Sequence, residues 1–265
     1  MTPLSPAINP HTHFLWTEKH SPTMSINVLV QPVDSLDDFT QIYHCFSEAF
    51  GRQIKESIWI AMNPNWNSPK GQREGASRLL ERWRSVTKNK EGHSNTVILK
   101  ATLRDSQDGF RLKIVGAAIW TQFSFVDGYG DLPTDSPAGL ETLTPTERRF
   151  ASQMYRALWK RRVSLAREKS KSDLPAMFTL DICAVDPAFQ RRGVAGKLVA
   201  WGLEEAKRRG NLECTTEASA MGRVVYRRLG FGAEGAGEDI VFDVDEEFRN
   251  RDMPEIVFMR TWASQ

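Results

Sequence analysis

Nowhere in the 265 residues does an uninterrupted apolar run approach the ~18 to 20 residues that a helix needs to cross a bilayer, so no membrane partner is expected. The first residues also lack the basic-then-apolar order of a secretory signal. Cysteine is scarce. Cys45, Cys183 and Cys214 fall inside apolar periodic segments rather than at paired spacings, which argues against a disulfide framework and for reduced core thiols of an intracellular protein. Histidine is nearly as scarce: none of His11, His13, His20, His44 and His93 forms a ligand pair on a helix face, and no metal is expected. A dominant charge is missing too, because 35 Lys and Arg against 33 Asp and Glu leave a formal charge of +2, which gives no reason to expect nucleic acid. Together these absences predict a cytoplasmic protein, with the nucleus also open to it, acting as a monomer or a homodimer.

Periodicity organises what is present. Residues 1–24 mix Pro, His, Thr and Ser without period and read as a flexible tail; residues 25–265 show neither repeats nor a composition shift and read as a single domain. Ser25 to Val33 alternates as a half-buried strand, and Asp34 or Ser35 then caps a helix running to about Phe50. The segment Ile54 to Met62 starts a second helix, and Gly71 to Thr87 predicts a third with Leu79, Leu80 and Trp83 inward. Thr96 to Arg104 and Leu112 to Phe123 read as strands joined by the hairpin-forming Ser106-Gln107-Asp108-Gly109. An insertion at about 124–176 follows, irregular at first and helical from Thr146 to about Lys169. The basic residues of that helix, Arg148, Arg149, Arg156, Lys160, Arg161 and Arg167, read as a solvated face. Asp239 to Asp243 and Ile256 to Thr261 read as closing strands.

The most informative stretch is Gln190-Arg191-Arg192-Gly193-Val194-Ala195, set between the strand-like Phe178 to Val185 and the helix-like Gly196 to Arg209. A glycine-containing turn at a helix start presents unpaired N–H groups, aided by the helix dipole, to an anionic phosphate. By itself the pattern also fits an ordinary turn. Downstream come a second strand candidate, Leu212 to Ala218, then Ser219 as N-cap, a short helix holding Tyr226, and Leu229-Gly230-Phe231.

This order resembles the acetyl-CoA-binding core of the GNAT superfamily of N-acetyltransferases. The wording is similar to a version common among fungal small-molecule-type members, carried by Leu180-Asp181-Ile182-Cys183-Ala184-Val185-Asp186-Pro187-Ala188-Phe189-Gln190-Arg191-Arg192-Gly193 and by Ala218-Ser219-Ala220-Met221-Gly222-Arg223-Val224-Val225-Tyr226-Arg227-Arg228-Leu229-Gly230-Phe231. From Leu180 to Phe231 the resemblance spans about a fifth of the chain. The resemblance implies an α/β GNAT fold: a twisted, mostly antiparallel mixed sheet flanked by helices, with the helical insertion before the cofactor-binding strand.

It also implies acetyl-CoA as co-substrate and an amine as acceptor. The strand would splay from its neighbour near Cys183, Ala184 and Val185 to admit the pantetheine arm. Gln190, Arg191, Arg192, Gly193, Val194, Ala195, Gly196 and Lys197 would form the pyrophosphate cradle, with Ser219 and Gly222 near the coenzyme in place of the asparagine that many members carry. Tyr226 stands where the family's tyrosine protonates the departing thiolate; periodicity alone would read it as a core tyrosine with its hydroxyl at the edge, and the surrounding motif frame favours the catalytic reading. Asp181 and Glu217 are candidate bases, each with a structural reading beside the catalytic one. Trp59, Trp66, Trp120 and Tyr129 are the aromatic candidates for an acceptor pocket, with simple packing as the alternative. The leading substrate is a small-molecule primary amine; the alternatives are a protein N-terminus or lysine, or an acyl-CoA-binding regulatory module without turnover.

Overall fold

The computed structural model describes residues 28–104, 112–134 and 140–262. The expected tail 1–24, with His11 and His13, and the turn Ser106 to Gly109 lie outside the described residues. The chain folds in the order β1 (Leu29–Pro32), α1 (Asp38–Phe46), a π-helical turn (Ser47–Gln53), α2 (Ser57–Met62), α3 (Pro69–Arg84), β2 (Thr96–Arg104) and β3 (Leu112–Phe123). It continues through α4 (Pro145–Lys169), β4 (Met177–Val185), α5 (Val194–Arg208), β5 (Glu213–Ser219), α6 (Ala220–Arg228), β6 (Gly232–Ala233) and β7 (Ile256–Arg260).

One seven-stranded sheet runs β1-β2-β3-β4-β5-β7-β6. All neighbours are antiparallel except β4 and β5, which are parallel because α5 crosses between them. β3 is buried from Ile114 to Phe123, so both of its faces must carry packing, and its small residues Gly116, Ala117 and Ala118 let helices approach from each side. On one face α5 packs over Leu99, Val115, Trp120, Phe178 and Leu180. On the other, α1 and α3 cover Ile98, Ile114, Ala117 and Ile119, while α4 lies over Phe123 and Met177.

Three elements depart from the sequence reading. α1 begins at Asp38 rather than beside Asp34, because both carboxylates turn onto the buried Lys100 ammonium, at 2.6 Å (Asp34) and 2.7 Å (Asp38). Beyond Phe46 the helix widens into the π-helical turn, where Gly51 lies so close to Trp66 that a Cβ would come within 2.7 Å of the indole. Asp239 to Asp243 is not a strand: Ile240 donates one backbone bond to the Ile256 carbonyl (2.7 Å), and Ile240 and Phe242 turn down onto the α2–α4 cluster. The edge beside β7 is taken instead by β6.

The basic face of α4 is not simply solvated. Arg148 donates to the carbonyls of Leu140 and Glu141, Arg149 pairs with Asp245 and Glu247, and Arg161 pairs with Glu168 and Glu234. The Arg149 pairs and the Arg161–Glu234 pair fasten the inserted helix to the C-terminal segment. Its start is fixed by Thr144, whose hydroxyl accepts from the Glu147 amide at 3.3 Å, with Pro145 in the first turn.

Candidate active site

β4 and β5 part company midway. Their parallel register pairs Met177 with Glu213 through Leu180 with Thr216 and stops there. Beyond it β4 carries Ile182, Cys183, Ala184 and Val185 along β3 alone, while Glu217, Ala218 and Ser219 pair only with β7. The result is a fork in the middle of the sheet, open toward the C-terminal end of β4. Such a gap leaves backbone groups of both strands without a ladder partner on that side, and these must bond water or a ligand. Of the β4 residues, Cys183 is half-buried at the fork and burial pushes its thiol up to about 12, so it stays neutral.

The turn at the fork's far end is shaped by two left-handed residues, Arg191 at φ 63° and Gly193 at φ 78°. Gly193 is the N-cap of α5 and no side chain caps that helix. A Cβ built on Gly193 or on Gly196 would meet nothing within 4 Å. The first-turn amides of Val194, Ala195 and Gly196 therefore have no intrahelical acceptor and no capping side chain, and the space beside Gly193 and Gly196 is open, an arrangement suited to an anion. Gln190 braces the turn: its amide nitrogen donates to the Val185 carbonyl at 3.1 Å and to Gln53 Oε1 at 2.8 Å. Arg192 lies over the Phe189 ring and exposes its guanidinium. Lys197 is spent elsewhere, its ammonium 3.1 Å from the Val28 carbonyl.

Tyr226 sits on α6 across the fork, its pKa driven well above the ordinary tyrosine value by burial and then by Cys183 nearby. Ser219 and Gly222 have local work in seating it. Ser219 caps α6 by accepting from the Gly222 amide at 3.3 Å. Gly222 supplies the space for the Tyr226 ring, since a Cβ there would lie 2.7 Å from the ring edge and 3.2 Å from the hydroxyl.

Asp181 and Glu217, separate in sequence, meet on one side chain. Asp181 is the extra residue of a bulge in β4, between Leu180 opposite Trp120 and Ile182 opposite Ile119, and the bulge turns its carboxylate toward α3 and α4. There Arg162 Nη1 of α4 reaches Asp181 Oδ1 at 2.6 Å, while Arg82 Nη2 and the Thr121 hydroxyl donate to Oδ2 at 2.5 Å and 2.8 Å. Arg162 turns its Nε and Nη2 to both oxygens of Glu217. The guanidinium is 1% exposed and stacks 4.1 Å from the Trp159 ring centroid. Burial pushes the Asp181 carboxyl up, but Arg162 and Arg82 outweigh it and hold the group below its ordinary value. For Glu217 burial wins over Arg162, and its pKa is raised. Both carboxylates thus have every oxygen engaged, Asp181 by two guanidiniums and a hydroxyl and Glu217 by the one guanidinium of Arg162, and Glu217 is the one that holds a proton more readily.

Two of the aromatic pocket candidates lie away from the fork. Trp120 is fully buried under α5, stacked on Phe178 at 5.1 Å, and Tyr129 sits in a loop beneath the Lys90 ammonium. Trp59 and Trp66 pack with Phe50 and Tyr43 in the cluster beneath the π-helical turn. Sequence periodicity gave no sign of Arg162, Arg82 or Tyr155, the last buried beside the Arg162 cluster with its pKa raised by burial; only the folded sheet brings α3 and α4 to the same carboxylates. Among the described residues no group of three or more His, Cys, Asp or Glu is placed to hold a metal, and no helix is long and apolar enough to cross a membrane.

Residues 142–243, from the start of the inserted helix past α6, match the family model of the acetyltransferase (GNAT) domain. No curated protein sequence matches the chain. Among solved structures, arylalkylamine N-acetyltransferase 2 of Aedes aegypti superposes with a TM-score of 0.53 at 18% identity, covering 88% of this chain and 98% of its own. A polyamine N-acetyltransferase of Drosophila melanogaster gives 0.53 at 14% identity over 88% and 97%. A histone acetyltransferase and related acetyltransferase of Corynebacterium glutamicum gives 0.50 at 19% over 91% and 98%. At such identities the superpositions establish the fold, and the matched domain spans the fork, the open helix start and Tyr226. The parting of β4 from β5 thus lies inside the segment that matches the acetyltransferase (GNAT) domain, on a fold shared with solved acetyltransferase structures.

Proposed function

We propose that the protein transfers an acetyl group from acetyl-CoA to the primary amine of a small molecule, both substrates being bound together. The observation that carries this reading is the fork that opens at Leu180 and Thr216 and leads to the uncapped start of α5. Amides from Arg191 to Gly196 would hold the pyrophosphate, with Gly193 and Ala195 letting oxygens approach the backbone; the Lys197 amide drops out of the expected cradle, because it already donates to the Gly193 carbonyl at 3.1 Å. Backbone groups of Cys183, Ala184 and Val185 would line the arm. When bound, the coenzyme supplies an acyl carbon activated as a thioester.

The chain's own residues would then manage protons. Tyr226 is protonated at neutral pH, and its place at the fork near Cys183 is where a donor to the leaving thiolate would stand. Glu217, with its raised pKa, is the better of the two carboxylates to take a proton from the incoming amine. Asp181 would anchor Arg162, the guanidinium that Glu217 shares. A small acceptor fits the charge pattern around the insertion better than a lysine-rich segment. Glu147, Glu234 and Asp239 are all paired with arginines, which lowers the pull on a polycation. The neighbours named for arylalkylamine and polyamine substrates agree with that acceptor class.

The test is acetyl-CoA-dependent release of free CoA, measured with a panel of arylalkyl and aliphatic amines for the wild type and Tyr226→Phe. The expected outcome is turnover with at least one amine, reduced about 10²-fold or more in Tyr226→Phe while acetyl-CoA affinity is kept. An equal rate in the variant would reduce Tyr226 to a packing residue.

A further inference from the structure

We infer that Arg162 is a positioning residue that sets the opening of the β4–β5 fork; the inference rests on the acetyl-CoA reading above. Asp181 and Glu217 are the first residues of their strands beyond the last β4–β5 pair. Arg162 bonds to both, so its guanidinium spans the place where ladder hydrogen bonds cease. It takes over from the ladder. Instead of two strands held at ladder spacing, the backbones are held apart by a carboxylate, a guanidinium and a second carboxylate in series.

The bridge is rigid for three reasons. Planar guanidinium meets Glu217 with two donors, a geometry that a lysine ammonium cannot reproduce. Trp159 packs on one face of the cation at 4.1 Å. Asp181 is itself anchored by Arg82 and Thr121, so the β4 end cannot swing. Arg162 comes from α4, which Arg149, Arg161 and the Glu147–Arg251 pair tie to neighbouring segments. The insertion thereby reaches into the sheet and fixes the width of the gap that an acyl-pantetheine arm would enter. The cradle at Gly193 is built by a different turn, braced by Gln53 and Gln190, and does not use Arg162.

That separation makes the inference testable by binding alone. Calorimetric affinities are measured for acetyl-CoA and for its nucleotide half, 3′-phospho-ADP, in wild type, Arg162→Lys and Arg162→Ala. Wild type should bind acetyl-CoA more tightly than the fragment. In Arg162→Lys, which retains a cation between the carboxylates, fragment affinity should hold within about twofold while acetyl-CoA weakens about tenfold or more. Methylguanidinium added to Arg162→Ala should restore acetyl-CoA binding, and methylammonium at equal concentration should not. Unchanged acetyl-CoA affinity in Arg162→Lys would overturn the inference, and so would a parallel loss of both ligands. If Arg162→Ala does not fold, the lysine variant decides. Failure of wild type to bind either ligand would instead sink the acetyl-CoA reading, a distinguishable result.

Discussion

Two equally buried carboxylates on neighbouring strands shift in opposite directions, because burial raises both and only at Asp181 do the neighbouring cations outweigh it. Asp181 collects two guanidiniums and a hydroxyl, and its pKa falls; Glu217 collects one guanidinium, and its pKa rises. Linkage follows from the sign. A carboxylate whose folded pKa lies below its unfolded value of ~3.9 stabilises the fold above that pH, and the contribution disappears as pH falls through the folded value. Asp181→Asn should therefore flatten the acid side of a plot of unfolding free energy against pH, and slopes identical to wild type would contradict the assignment. At neutral pH the same change strips Arg162 and Arg82 of a shared partner and should cost about 3 kcal/mol, read from urea denaturation. The short spacing from Gly222 to Tyr226 offers another residue-scale outcome. Gly222→Ala would press a methyl group against the Tyr226 ring, so turnover should fall together with a stability loss of about 1 to 3 kcal/mol.

At the scale of elements, α5 is the piece that both closes the core and presents the cradle. It lies directly on the sheet at Gly202, where a Cβ would come within 2.0 Å of the buried Trp120 ring. Trp120 is boxed in by Phe178 and has no room to yield. Gly202→Ala should lift or tilt α5, lowering the thermal midpoint by several degrees for a cost of about 1 to 3 kcal/mol and weakening acetyl-CoA binding in parallel. A variant with wild-type midpoint and affinity would show that the helix can shift without consequence. The inserted α4 plays the complementary part, carrying Arg162 across more than one strand to a fork whose residues lie elsewhere in the chain.

Over the whole molecule, legibility in the sequence tracks locality. Strands β2 and β3, the turn at Gly193 and the cap at Ser219 depend on neighbours a few residues away, and pattern alone finds them. The sheet type is implied by the resemblance of that local order to GNAT acetyltransferases, and the seven-stranded mixed sheet agrees with it. What pattern could not find was anything decided by distant contacts. Asp34 leaves the helix start for Lys100, which Asp38 of the first turn also holds, Trp120 goes under α5 rather than toward an acceptor, and 239–243 turns onto α4 rather than pairing. Arg162 is the extreme case, because nothing within its own helix distinguishes it from the paired surface arginines around it.

The central claim is that the uncapped start of α5 holds the coenzyme's pyrophosphate. The measurement that reaches it most directly is a calorimetric titration of wild type and Gly193→Glu with acetyl-CoA. A glutamate there must adopt a backbone conformation that side chains rarely take, and it brings a negative charge to the anion's place. The account predicts saturable binding in wild type and none in the variant, with both proteins folded by circular dichroism. Undiminished affinity in Gly193→Glu, or no binding in wild type, would contradict it.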